Sequence, residues 1–202
     1  MKQIVLIGGG GHCRSCIDVI EQAGTYSVAG IVDLPERVGQ RVLGYEIIGD
    51  DTELERLVGE HSHFLITLGQ IKNAAPRKKL FERVRALGGN FPTIVSPCAH
   101  VSSHARLGAG VIVMHHAMVN AGAVVDDNSI INSKALVEHD AVIGKHCHIA
   151  TGGIINGGVI VEDETFWGSG SVSREYIIVG KRSVIGCGVV VKKNMEPGSM
   201  VS

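Results

Sequence analysis

Aromatic side chains are scarce in this 202-residue chain: Phe, Trp and Tyr together make up 4% of it. A core of that composition must be built from aliphatic residues. Long apolar runs are absent too. Nothing approaches the roughly eighteen consecutive apolar residues of a membrane span, and Ile4-Val5-Leu6-Ile7 is too brief for the core of a signal peptide. That run is expected to be a buried first strand. Charge of one sign is also lacking: 19 Lys and Arg stand against 20 Asp and Glu, with no basic run. This excludes the electrostatic footprint of a nucleic-acid binder. The five cysteines, Cys13, Cys16, Cys98, Cys147 and Cys187, are odd in number and scattered, which is no disulfide framework and suits a reducing cytoplasm. Cys13-Arg14-Ser15-Cys16 is the one CxxC, and without a second CxxC or a suitably spaced His pair it does not complete a zinc site.

Glycine is what the chain has in excess, 27 residues, about twice the usual share of ~7%. Its use becomes clear in the second half, which is a six-residue repeat. Stepping by six from Val101 to Val191 meets sixteen positions, and all but Trp167 and Ser173 are Val, Ile or Leu. Chance at the overall composition would put only about five of these types there, so the repeat is secure. The residues two places earlier, from Ala99 through Ala135 and Cys147 to Val189, are never charged, aromatic or long. Two inward positions per hexad mean a short strand followed by a turn. Three such units close a triangular coil of eighteen residues, and successive coils stack as a parallel β-helix. A β-sandwich has irregular loops and a longer strand spacing, and a helix has the wrong period.

The first half reads as a small α/β unit. Ile4–Ile7 is a strand, Gly8-Gly9-Gly10-Gly11-His12 a tight bend, and Ser15 to Ala23 carries apolar residues at helical spacing. Val28–Val32, ending in Asp33, and Phe64–Leu68, ending in Gly69, are further strands, with a helix over Pro76 to Leu87. Strands alternating with helices predict a parallel sheet, with ligands beyond the carboxyl ends of its strands. Gly8 to His12, Asp33 and Gly69 all fall there. The glycine loop departs from a dinucleotide fingerprint because Cys13 stands at the third glycine position and the unit spans only about ninety residues. A nucleotide-bearing substrate, approached closely by the loop backbone, is the better reading. A strand-to-helix turn that needs glycine for geometry alone remains the alternative at this point.

Polar residues interrupt the coils at a few places. Ile131 and Ile149 are one coil apart, so Asn132 and His148 flank stacked positions and point outward as diagonal neighbours. His139 sits at a corner one face along, bracketed by Glu138 and Asp140, either of which could orient its imidazole and raise its basicity. That arrangement is either a general base with its partner or a hydrated corner. A metal site among His115, His116, His146 and His148 is disfavoured, because adjacent strand residues point to opposite sides.

A strand, glycine loop and helix joined to an unbroken hexapeptide array, with Asn132, Glu138-His139-Asp140 and His148 so placed, resembles the bacterial sugar acyltransferases of the sialic acid O-acetyltransferase and bacillosamine-pathway N-acetyltransferase type. The resemblance implies a Rossmann-like nucleotide-sugar domain over 1–92 and a left-handed β-helix over 93–202. It further implies trimers, with acetyl-CoA bound between neighbouring β-helices and no metal. By the same matching His139 is the general base and Asp140 the acid that supports it, with Glu138 the second choice. His148 and Asn132 contact the acetyl or thioester region, and Gly168, Ser169, Gly186 and Cys187 line the pantetheine and nucleotide channel. Gly10, Gly11, His12, Asp33, Leu34 and Gly69 match the nucleotide-sugar contacts, although Leu34 stands where a second acid is common. Members of the family usually continue beyond the Glu196–Ser202 stretch into a Gly-x-Pro-Ala-Lys-like tail, so a tail contact to the CoA adenine is expected to be missing or altered, the chain being either naturally short or truncated. The expected activity is transfer of acetyl from acetyl-CoA to a nucleotide-linked amino sugar in the cytoplasm. O-acetylation of a sialic acid or another sugar, and a non-catalytic β-helix scaffold, are the alternatives.

Overall fold

The computed structural model describes all residues, Met1 to Ser202. Its first unit is a five-stranded sheet. Strand β1 (Lys2–Ile7) sits between β2 (Tyr26–Val32) and β5 (Phe64–Ile66), parallel to both. Outside β2 lie β4 (Tyr45–Gly49), parallel, and β3 (Arg41–Val42), which turns back on β4 as a short antiparallel hairpin. Helices α1 (Gly11–Ala23), α2 (Leu54–Glu60) and α3 (Ala75–Ala86) cover the sheet.

Alternation along β1 decides which face packs where. Ile4 and Leu6 point toward α1, where they join Cys13, Cys16, Ile17 and Ile20; Val5 and Ile7 point toward α2 and α3, against Leu54, Leu57, Phe81 and Val84. With both faces covered, the strands read as unbroken apolar runs rather than alternating ones. The helix after the glycine loop starts at Gly11, four residues before the Ser15 from which the apolar spacing was read, with Gly10 as N-cap and no capping side chain. It stops at Gly24, whose left-handed backbone lets its N–H donate to the Ile20 carbonyl. The strand expected to run to Leu68 leaves the sheet after Ile66, because the Thr67 hydroxyl turns back to the Gly8 carbonyl at 2.6 Å.

From Ile94 on, the chain is a parallel β-helix of three sheets, each strand two residues long and paired with the strand eighteen residues away, except the last, Met200–Val201, which pairs with Val184–Ile185 sixteen residues back. The coil is left-handed. Every sixth residue from Gly110 to Gly188 has positive φ, eight of them non-glycine, including Asn128, Lys134, Asp140 and Tyr176. These left-handed corners explain why glycine punctuates the repeat, taking six of them. Inside, the Val, Ile and Ala positions form one cluster of 21 buried residues. The large Trp167 is accommodated because Gly153 on the preceding coil has no Cβ; one there would lie 2.9 Å from the indole. Its Nε1 donates to the Ser171 carbonyl at 3.1 Å. Ser173, the other exception, is buried with its hydroxyl accepting from Asn156 N at 2.8 Å.

The two units share a core. The outer face of one β-helix sheet, through Ile94, Ile112 and Ile130, packs with α1 and the near side of the small sheet. Ion pairs Lys78–Glu164 and Arg85–Asp127, both 2.9 Å, rim the contact.

Candidate active site

The docking of the two units opens a cleft of about 540 Å³ lined by Gly11, His12, Ser15, Gly69, Gln70, Ile71, Asn132, Ser133, His148 and Thr151. It thus joins His12 and Gly69, read as substrate contacts, to Asn132 and His148, read as co-substrate contacts. His148 is buried; its Nδ1 donates to the Gln70 backbone carbonyl at 2.8 Å, which leaves Nε2 to accept from Asn132 Nδ2 at 3.1 Å. The tautomer is fixed by these partners. Burial pulls the His148 pKa down to about 4, assisted by the charge of Arg77. His12 lies 6.0 Å from the His148 ring, with its Nε2 buried and unpartnered. Burial, then His148, then Arg77 pull its pKa down to about 3. Both imidazoles are therefore neutral at pH 7.

Gly10, Asp33 and Leu34 lie on neighbouring loops at the same sheet edge. Asp33 does not present a free carboxylate. Its Oδ2 accepts from Gly9 N at 3.0 Å and pairs with Arg37, and its Oδ1 accepts from Leu34 N at 2.9 Å. Arg37 also donates to the Gly9 carbonyl at 3.2 Å, so the glycine loop is clamped to the end of β2. Leu34 is exposed. Ser133, Thr151 and Arg37 are not among the residues the sequence pointed to; the eighteen-residue coil could have flagged Ser133 and Thr151, which follow Asn132 and its equivalent one coil later.

The Glu138-His139-Asp140 triplet is not in that cleft. It occupies the next corner of the coil, where His139 and Asp140 are exposed. His139 Nδ1 donates to Asp140 Oδ2 at 3.0 Å, and this bond raises the His139 pKa above its ordinary value. Glu138 points elsewhere: it accepts from Asn120 Nδ2 one coil earlier and from the His139 backbone N–H, both at 3.0 Å. With Nδ1 engaged by Asp140, Nε2 is the nitrogen left without a proton in the neutral ring.

Gly168, Ser169, Gly186 and Cys187 continue the edge that begins with Asn132 and Ser133, as the backbone bonds from Gly152 to Ser133, Gly170 to Thr151 and Gly188 to Ser169 show. Ser169 and Cys187 are exposed along it. Gly168 is buried against the next coil, where a Cβ would lie 2.4 Å from the Gly186 carbonyl oxygen, so its absence of a side chain is a packing requirement. His115 is taken up by Ser96 at 2.7 Å and Asp18 at 2.8 Å, and His146 by Asn128 at 2.9 Å. No three His, Cys, Asp or Glu side chains are grouped to hold a metal ion.

An α/β unit docked on a left-handed hexapeptide coil, with a polar cleft between them, defines a hexapeptide-repeat β-helix protein. Comparison with known proteins narrows the class. Residues 3–84 match the family model described as the PglD N-terminal domain. The acetyltransferase domain of PglB from Neisseria gonorrhoeae FA1090 superposes with a TM-score of 0.91 at 32% identity, covering 100% of this chain and 96% of that one. PerB from Caulobacter crescentus, solved in complex with CoA and GDP-perosamine, gives 0.88 at 32% identity, covering 99% and 93%. The UDP-N-acetylbacillosamine N-acetyltransferase of Bacillus subtilis (strain 168) is 30% identical over 118 residues, 56% of this chain; the match spans about half the length of that curated relative, 52%. The chain belongs to the bacillosamine-pathway family of sugar N-acetyltransferases. No helix is long and apolar enough to cross a membrane.

Proposed function

We propose that this protein transfers the acetyl group of acetyl-CoA to the amine of a nucleotide-linked amino sugar, such as a UDP- or GDP-linked 4-amino-4,6-dideoxy sugar. The observation that carries the reading is likeness along essentially the whole chain to PerB, whose structure holds CoA and GDP-perosamine. The Neisseria domain solved with acetyl coenzyme A, at 31% identity and a TM-score of 0.90 over 99% of this chain and 95% of that one, supports the acyl donor.

The chemistry follows from the residues. A sugar ammonium must lose a proton before nitrogen can attack the thioester carbonyl. That proton goes to solvent; as the neutral amine adds to the carbonyl, His139 Nε2 takes a second proton from the same nitrogen while Asp140 holds Nδ1 and stabilises the imidazolium. Collapse of the tetrahedral intermediate breaks the C–S bond, and the proton on Nε2 passes to the departing thiolate, which leaves as CoA thiol. Asn132 and the neutral His148 are placed to hold the acetyl end, while Ser169 and Cys187 border the channel for the rest of CoA. The glycine loop, His12, Gly69 and the Asp33–Arg37 clamp form the nucleotide-sugar end.

In one chain the His139 corner and the interdomain cleft stand apart, which favours a site shared between chains. Two β-helix faces support this. Met118, Leu136, Ile154 and Val190 project from one and Val142, Ile160 and Ile178 from the other, and Met118, Ile160, Ile178 and Val190 are exposed. A continuous apolar face of this kind marks an association surface. A homotrimer closes both faces and brings the His139 edge of one chain to the Asn132–Cys187 edge of the next. The reduced thiols and the two substrates fit work in the cytoplasm.

The test is release of CoA thiol from acetyl-CoA against UDP-, GDP- and CMP-linked acceptors, amino and hydroxyl alike, with wild type and His139→Ala. Turnover with an amino sugar, lost in the variant, is expected. Turnover only with hydroxyl acceptors would replace the reading by O-acetylation, and failure to bind acetyl-CoA at all would replace it by a scaffold.

A further inference from the structure

Arg77, in the first turn of α3, is 1% exposed and none of its partners is a carboxylate. Nη1 donates to the carbonyls of Ile66 (3.3 Å) and Leu68. Nη2 crosses to the β-helix and donates to the Asn128 carbonyl (2.8 Å) and Oδ1 (3.0 Å). Nε is buried without a partner. A buried guanidinium without an anion is an expensive feature, and a helix docked for packing alone would do better with an apolar residue of the same size. Burial draws its pKa down to about 10, so the charge persists at neutral pH.

The position of that charge suggests its use. The two carbonyls it holds from the small sheet belong to the end of β5 and the loop after it, and two residues beyond Leu68 comes the Gln70 carbonyl that accepts from His148 Nδ1. We infer that Arg77 is a positioning residue of the cleft: by bolting the exit loop of β5 to Asn128 it presents the Gln70 carbonyl to His148, fixing which imidazole nitrogen faces Asn132. The groups around His148 are His12 from α1, Gln70 and Arg77 from the small domain, and Asn132 and the Phe166 ring from adjacent coils. No carboxylate is among them, so the unbalanced charge of Arg77 also works against protonation of both cleft imidazoles. The consequence for acetyl transfer rests on the proposed function; the positioning itself does not.

Asn128→Asp neutralises the charge of Arg77 while keeping the side-chain shape, and because Nδ2 now pairs with His146 Nδ1 at 2.9 Å it also shifts His146, which is followed in the same spectra. The substitution is nearly isosteric and sets a carboxylate where Oδ1 now lies 3.0 Å from Nη2. The experiment is ¹⁵N-edited NMR of the histidine side chains in ligand-free protein across pH 3.5–8 (a range set by roughly the usual histidine span), for wild type, Arg77→Lys, Arg77→Gln and Asn128→Asp. Wild type is expected to show His148 with Nδ1 protonated and Nε2 bare down to about pH 5. Asn128→Asp is expected to move the His148 midpoint upward by roughly half a unit or more. Arg77→Lys, which keeps the charge and loses the fork, should leave the midpoint low while mixing the two tautomers. If both arginine variants fail to fold, Asn128→Asp decides alone. A His148 midpoint unmoved in Asn128→Asp, or a single unchanged tautomer in a folded Arg77→Lys, overturns the inference. Because the readout is taken without substrate, absence of acetyltransferase activity would sink the proposed function and leave this result standing.

Discussion

Gly157 lies against the imidazole of His139, one coil further along the same corner, and a Cβ built there would come 2.7 Å from His139 Nε2. The missing side chain leaves room for the nitrogen that the proposed reaction uses. Gly157→Ala is therefore expected to push the ring aside and cut kcat by about tenfold to a hundredfold, since small displacements of reacting groups have effects of that order. The melting temperature should change little. An alanine variant with wild-type turnover would show that the ring is not used where it now lies.

His139 itself separates chemistry from binding. His139→Ala is expected to lower kcat by about 10²–10⁴-fold with KM for the nucleotide sugar nearly unchanged. Asp140→Asn removes the main cause of the raised His139 pKa. The base works unprotonated, so the acidic limb of the rate profile should move to lower pH in that variant while maximal turnover falls. Steady-state rates across pH check both, and a limb that stays in place would assign it to another group.

The Asp33 carboxylate ties Gly9 N, Leu34 N and Arg37 together at the mouth of the nucleotide end. Asp33→Ala should loosen the glycine loop and raise the nucleotide-sugar KM roughly tenfold, as loss of a charged hydrogen-bond partner does, with little change in kcat. A variant altered in kcat alone would place Asp33 nearer the chemistry.

Acid should weaken the domain interface. His12 and His148 titrate at about 3 and about 4 in the folded protein, against 6.5 when free. As pH falls below 6.5 the unfolded chain takes up these protons first, so stability is full above that value and is lost through the window down to about 3. Urea unfolding at pH 4.5 should give roughly 3–5 kcal/mol less stability than at pH 7 from these two groups, allowing for their coupling. In His148→Asn the loss should be smaller, and an identical pH dependence would show that other groups carry it.

The trimer can be tested without activity. Ile160→Asp combined with Ile178→Asp puts two charges on one exposed apolar face. Light scattering is expected to find three associated chains for wild type and single, folded chains for the variant. Single chains in both would remove the shared site from the proposal.

Much of this protein is local, and local features are legible in a sequence. The hexapeptide period names the β-helix because each two-residue strand carries its own inward side chain, and Ile4–Ile7 with its glycine loop names a strand and a helix start by the same logic. The β3–β4 hairpin escaped because strands of two to five residues leave too short a pattern. Other features depend on how the small domain seats on the coil, which no period encodes. His12, Gln70 and His148 share a cleft only because α1 and the exit of β5 meet one β-helix face. Arg77 stands beside Lys78 and Lys79 in the helix expected over Pro76 to Leu87, and it is a buried cation because α3 docks over Asn128. The choice between Glu138 and Asp140 beside His139 was equally closed to the sequence. In the fold Asn120 on the previous coil takes Glu138, and Asp140, at a left-handed corner with φ +59°, is the carboxylate in contact with the imidazole.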